Sequence, residues 1–207
     1  MLGSPERTKP CTFSTMDSRQ SVGLEQIAAA SARDQILIWA RQGEGRNMAQ
    51  TPDKVAALLD VTQALNGIGA AYALIGGIAV GIHTGVPRAT LDTDLAVVST
   101  RPRAAIIDAM RRAGLALVGE FEHSANFRHG SGEPVQLAFD PSFDPMIERA
   151  ESMHIAGQTV RIIRKDDLIQ MKRRAAADPA RRRSKALRDQ ADVELLLGDV
   201  PDPDEGW

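Results

Sequence analysis

A mixed α/β domain is expected from this chain: a mixed β-sheet flanked by helices, closed at the C-terminal end by a helical pair. Three features carry the expectation. Between residues 51 and 163, short apolar runs bounded by glycine and turn residues alternate with helical patterns. One of these runs ends in two adjacent glycines and another opens on two aspartates spaced two apart. Residues 166–197 then read as two helices broken at Asp178-Pro179.

The first helix starts at Thr51-Pro52-Asp53, read as a hydroxyl cap, a proline at the first helical position and an acid in the first turn. Val55, Leu58, Leu59 and Leu65 share its apolar face, and Asn66-Gly67 ends it. Ala71 to Ile75 is a buried strand, broken by Gly76-Gly77, with at most a short helix from Ile78 to His83. Asp92 to Ser99 is the next strand, followed by a helix from Arg103 to Ala113. Leu115 to Phe121, Asn126 to His129 and Val135 to Phe139 are three further strands, the last two joined by the turn Gly130-Ser131-Gly132. Pro145 to Ser152 reads as a short helix, Thr159 to Ile163 as a strand, and Asp166 to Ala177 as the first of the two closing helices.

The chain length of 207 residues suits one domain with extensions. Residues 1–47 are expected to be a flexible N-terminal extension, 48–200 the folded domain and 201–207 an acidic tail. Within the extension, Ser21 to Gln42 carries enough helical patterning for a loosely attached helix, and Met48 is a candidate translation start. The net charge of −2 points neither to nucleic acid nor to a membrane surface. No apolar run reaches the roughly 18 residues that span a bilayer. Cys11 stands alone, so no intrachain disulfide forms, and a cytoplasmic location is expected. From Arg161 to Arg188 there are eleven Lys and Arg against three Asp, and from Asp189 onward seven acids and no Lys or Arg. That pattern is either a solvated helical face with a neutralising tail or a basic wall that holds phosphate. His83, His123 and His129 lack zinc spacing, and Trp39 and Trp207 read as packing anchors.

The chemistry concentrates in residues 72–99. Asp92 and Asp94 sit at i and i+2 in a strand, so they project to one face while Thr93 projects to the other. Two carboxylates side by side repel unless a cation lies between them. Mg²⁺ suits them, because it takes oxygen ligands and typically binds one or two carboxylates together with substrate phosphates. Gly76-Gly77, directly after a buried strand, lets backbone N–H groups approach a phosphate without a Cβ in the way. Neither a Walker pattern nor G-x-G-x-x-G is present. The glycine turn and the acids are expected to face one pocket.

The stretch IGGIAVGIHTGVPRATLDTDLAVV resembles the signature of the DNA polymerase β-type nucleotidyltransferase superfamily. Within it, the stretch is most similar to the AbiEii-like and MNT-like branch associated with toxin–antitoxin and abortive-infection systems. The match is close over Tyr72–Ser99 and loose to about Leu197, where the helical pair carries Lys172, Asp189 and Asp192. The resemblance implies a nucleotidyltransferase fold and transfer of a nucleoside monophosphate from an NTP to an acceptor hydroxyl on RNA, a protein or a small molecule. It implies that Gly76 and Gly77 contact the triphosphate, that Asp92 and Asp94 ligate two Mg²⁺ ions, and that Arg88 and Thr90 steady the loop or a phosphate. Lys172 is implied to reach the nucleotide phosphate, and a protein partner encoded nearby is implied by the branch. The sequence departs from the pattern at the third carboxylate, where PVQLAFD places Gln136. Asp140 lies about 13 Å further along an extended strand at ~3.3 Å per residue, and Glu133 is the other acid that could substitute. A weakened, antitoxin-like binding module is therefore the alternative to an enzyme. A duplex-binding protein using Arg181 to Arg188 is the third.

Overall fold

The computed structural model describes residues 26–29 and 52–200. The acidic tail, Cys11, Trp39 and Trp207 lie outside the described residues. Within residues 52–200, six helices and seven strands follow in order. They are α1 (Lys54–Gly67), β1 (Tyr72–Leu74), α2 (Gly76–Thr84), β2 (Thr93–Val97), α3 (Arg103–Arg112), β3 (Ala116–Glu120), β4 (Ser124–Arg128), β5 (Pro134–Ala138), α4 (Asp144–Glu148), β6 (Glu151–Ile155), β7 (Gln158–Ile162), α5 (Lys165–Ala177) and α6 (Arg183–Leu197). A 3₁₀ turn, Pro141–Phe143, precedes α4.

The strands form one mixed sheet in the order β3-β4-β5-β2-β1-β7-β6. β2 lies between antiparallel β1 and parallel β5, which places the aspartate strand at the centre. Both central strands are apolar and buried, with Leu74, Leu95 and Val97 fully enclosed, as expected for strands covered on both faces. The β2–β5 register sets Asp94 opposite Gln136, and the β4–β5 register continues the row to Asn126. α1 packs on α3 and covers the face toward which Thr93 points. α5 and α6 pair with each other and stand over the face that carries Asp94. Among residues 26–29, Ile27 is fully buried and its side chain lies against Gly81 of α2.

Four local expectations are corrected. The α1 cap is Asp53, whose extended backbone lets its carboxylate accept from the N–H of Ala56 at 2.9 Å; Pro52 precedes the helix, and Thr51 lies outside the described residues. α2 begins at Gly76, so both glycines form its first turn. Asp92 lies one residue ahead of β2 rather than within it. Residues 151–155 are a strand, whereas Pro145 to Ser152 reads as helix from sequence. The helix stops at Glu148, and Ala156 and Gly157 both take positive φ (47° and 80°) to close a two-residue hairpin. Met153 and Ile155 are the buried alternate positions of β6, a period-2 pattern too short to stand out beside the preceding helical one.

A buried ion pair ties α1 to the sheet. Lys54 bonds Glu133, and both side chains are almost completely enclosed. Thr93 donates its hydroxyl to the same Glu133 oxygen at 3.1 Å. Removing Lys54 would strand a buried carboxylate, which is far costlier than replacing the whole pair. Lys54→Met should therefore lower unfolding stability by about 3 kcal/mol, and Lys54→Met with Glu133→Leu should recover most of it, as read by urea unfolding.

Candidate active site

Asp94 and Gly76 are in intimate contact. Gly76 has φ +70°, and a Cβ placed on it would overlap the Asp94 carboxylate. The backbone repeats the link, since the N–H of Ile75, the residue capping α2, donates to the Asp94 carbonyl at 3.0 Å. Gly77 is equally constrained: a Cβ there would come within 2.6 Å of the Arg88 guanidinium and 2.7 Å of Thr90 Cβ. The first turn of α2 thus packs directly on the aspartates' strand and on the Arg88–Thr90 loop. Thr90 in turn lies with its hydroxyl 3.4 Å from the carboxylate and carbonyl oxygens of Asp92.

Asp92 and Asp94 open into one cleft, while Thr93 is buried on the opposite face with Glu133. The expected one-face arrangement of the two acids therefore holds. The cleft has two compartments that meet at Asp94, Gln136 and Lys172. The first, about 610 Å³, mixes apolar Ile75, Ala138, Phe143, Leu168 and Met171 with charged Asp140, Arg174 and Asp178. The second, about 530 Å³, is lined by Gly77, Thr90 and Asp92, with Lys185 and Arg188 of α6 opposite.

Burial and the neighbouring Asp92 charge push Asp94 up to about 7 from the ordinary 3.8, against the pull of Lys172, Lys54 and Lys185. Two neighbouring acids that open into one cleft form a donor set that a divalent cation would relieve. Among the described residues, no group of three or more His, Cys, Asp and Glu side chains is placed to hold a metal. The pair alone still fits Mg²⁺, whose remaining positions are commonly taken by substrate phosphates and water.

The other expected residues fall unevenly. Gln136 lies beside Asp94 in register and lines both compartments. Neither alternative acid takes its place. Glu133 is locked by Lys54 and Thr93 on the far face. Asp140 lines the first compartment but accepts from the N–H of Ser142 at 2.8 Å, a bond that holds its carboxyl below the usual range. Arg88 and Lys172 reach the cleft already paired. Arg88 bonds Asp192, and Lys172 lies 2.9 Å from Asp189 and 2.8 Å from Asp192. Arg181 adds a 2.5 Å contact to Asp189, and both acids are buried. His83 turns from the pocket and donates Nε2–H to the carbonyl of Ile163 at 2.7 Å. His129 bridges Ser131 and Asp60, away from the cleft. In the sequence Lys185 and Arg188 are marked only by the basic excess over residues 161–188 and by the Arg181 to Arg188 stretch, not as phosphate ligands.

No family model matches the chain, and no curated protein matches it. Solved structures do. The solution structure of the antibiotic-resistance factor ANT(2'')-Ia aligns with a TM-score of 0.52 at 19% identity, covering 70% of this chain and 85% of that one. Lincosamide antibiotic adenylyltransferase LnuA, lincomycin-bound, aligns with a TM-score of 0.51 at 14% identity, covering 73% and 99%. This chain has a nucleotidyltransferase fold. In this nucleotidyltransferase fold the Asp92–Asp94 pair, the Gly76 cradle and Gln136 lie together at the centre of the sheet. Among the described residues no helix is long and apolar enough to cross a membrane.

Two outcomes follow from the cradle. Gly76→Ala combines a positive φ with an overlap on Asp94 and should cost about 2 kcal/mol or more, read by thermal melting. For Asp94, the raised value means that the neutral carboxyl is favoured in the fold, so its contribution to stability is full below pH 4 and is lost as the pH rises to about 7. Asn carries no such charge. In EDTA, Asp94→Asn should match the wild type near pH 4 and exceed it by about 2 kcal/mol at pH 8 in urea unfolding.

Proposed function

We propose that this chain is a Mg²⁺-dependent nucleotidyltransferase that moves a nucleoside monophosphate from an NTP to an acceptor hydroxyl. The observation that carries the reading is the Asp92–Asp94 pair opening into a cleft against the glycine start of α2. The acceptor hydroxyl attacks the α-phosphorus and gives up its proton to solvent, the bond from that phosphorus to the bridging oxygen breaks, and pyrophosphate leaves with the electron pair. Mg²⁺ held by Asp92 and Asp94, with two ions as the family resemblance implies, would supply charge neutralisation at the transferring phosphoryl group. The chain's own residues do the positioning: Gly76 and Gly77 let the first turn of α2 pack against Asp94 and the Arg88–Thr90 loop, so that its backbone N–H groups lie beside the acids, and Thr90 steadies Asp92.

The acceptor is RNA, a protein or a small molecule. Small-molecule acceptors draw support from the LnuA complex with lincomycin and from ANT(2'')-Ia in complex with adenylyl-2''-tobramycin. The Tyr72–Ser99 motif supports a place in the AbiEii/MNT-like branch, and with it a toxin–antitoxin context and a partner encoded nearby.

Gln136 favours a second reading, a nucleotide-binding regulatory module with weak transfer. Gln136 cannot take a proton from the acceptor hydroxyl, and the row beyond it continues with another neutral amide, Asn126. Incubation with labelled NTPs, Mg²⁺ and cell extract tests both. The enzyme reading expects label transfer that Asp94→Ala abolishes; no transfer above Asp94→Ala by any NTP contradicts it. Gln136→Asp restores a candidate base and should raise transfer about tenfold or more. A rise from a near-zero wild-type rate would favour the regulatory module.

A further inference from the structure

The cleft holds six basic side chains, and among the described residues three of them carry no ion pair: Arg174 in the first compartment and Lys185 and Arg188 in the second, beside Asp92. Arg88 is paired with Asp192, Lys172 with Asp189 and Asp192, and Arg181 with Asp189. Lys185 and Arg188 have no ion-pair partner among the described residues, and both are exposed on the wall facing Gly77, Thr90 and Asp92. Their placement on α6 explains the division of labour. Lys185, Arg188, Asp189 and Asp192 are spaced as i, i+3, i+4 and i+7, one stripe of a helix. The C-terminal half of the stripe is buried and acidic and neutralises the cations beneath it. The N-terminal half is exposed and basic and looks across the opening at the first turn of α2.

We propose that Lys185 and Arg188 bind the triphosphate tail of the nucleotide, closing the phosphate compartment opposite Gly76 and Gly77. The assignment rests on the nucleotidyltransferase reading and moves the phosphate-binding role away from Arg88 and Lys172, whose charges α6 already uses to fix its own seat. An ammonium and a guanidinium one turn apart match neighbouring phosphates along an extended chain, and each adds a charge-assisted hydrogen bond. Lys185 stands near enough to the reacting centre for its charge to act on Asp94.

The test is calorimetric titration of the full chain with ATP, GTP, CTP and UTP in Mg²⁺, and with the matching monophosphates. Lys185→Ala with Arg188→Ala should weaken binding of the preferred NTP about tenfold or more. Monophosphate binding should change little, and Lys185→Arg with Arg188→Lys should retain most of the NTP affinity. In the unaltered protein, saturating NTP should protect Lys185 from amine acylation, read by peptide mass spectrometry. Unchanged NTP affinity in the double alanine variant, or unprotected Lys185 under saturating NTP, overturns the assignment alone. A wild type that binds no NTP overturns both the assignment and the reading beneath it.

Discussion

The close packing of Asp94 on Gly76 is the constraint from which the rest of the site follows. Any side chain at position 76 would occupy the volume of the carboxylate, and any other path for the chain at residue 75 would break its backbone bond to Asp94. The contact joins the start of α2 to the centre of the sheet and brings backbone N–H groups and carboxylates to one spot. It is maintained from behind. Lys54, Glu133 and Thr93 form a buried polar knot on the opposite face of β2, and Thr93 stands between the two acids in sequence. Burying that ion pair is costly unless its geometry is right, so the knot fixes β2 and α1 in one relation while the acids remain on the open side.

Electrostatics divide the cleft into a settled half and an available half. Asp189 and Asp192 absorb three cations and hold α5, α6 and the Arg88 loop together. Asp92 and Asp94 repel each other, and burial raises the cost. Lys185 and Arg188 stand exposed across the opening. An anion carrying its own divalent cations relieves both kinds of unmatched charge at once, which is the physical case for a metal-bound triphosphate in this cleft.

Much of this was legible in the sequence because the governing residues are local. The common opening of Asp92 and Asp94 was expected from their i, i+2 spacing, although Asp92 lies just ahead of β2, and the glycine pair marked a close approach whose partners in the fold are Asp94, Arg88 and Thr90. The position of Gln136 beside Asp94 was also accessible, because the motif supplies the strand that carries it. The pairing of Arg88 and Lys172 was not, since it depends on how α6 settles over the sheet, a long-range arrangement that residue spacing alone does not encode. Glu133 illustrates the same limit: its place in a turn-flanking position gave no hint that Lys54, 79 residues earlier, would enclose it. The β6 strand escaped notice because five residues with two buried positions give a weak periodic signal next to a helix.

The most direct test of the account is to locate the metal and the phosphates together. A crystal of the full chain grown with Mn²⁺ and a non-hydrolysable NTP, with the manganese placed by anomalous scattering, would do so. The account predicts manganese bound between the Asp92 and Asp94 carboxylates, with the triphosphate against the first turn of α2. Manganese bound elsewhere, or a triphosphate lying away from Gly76 and Gly77, would contradict it.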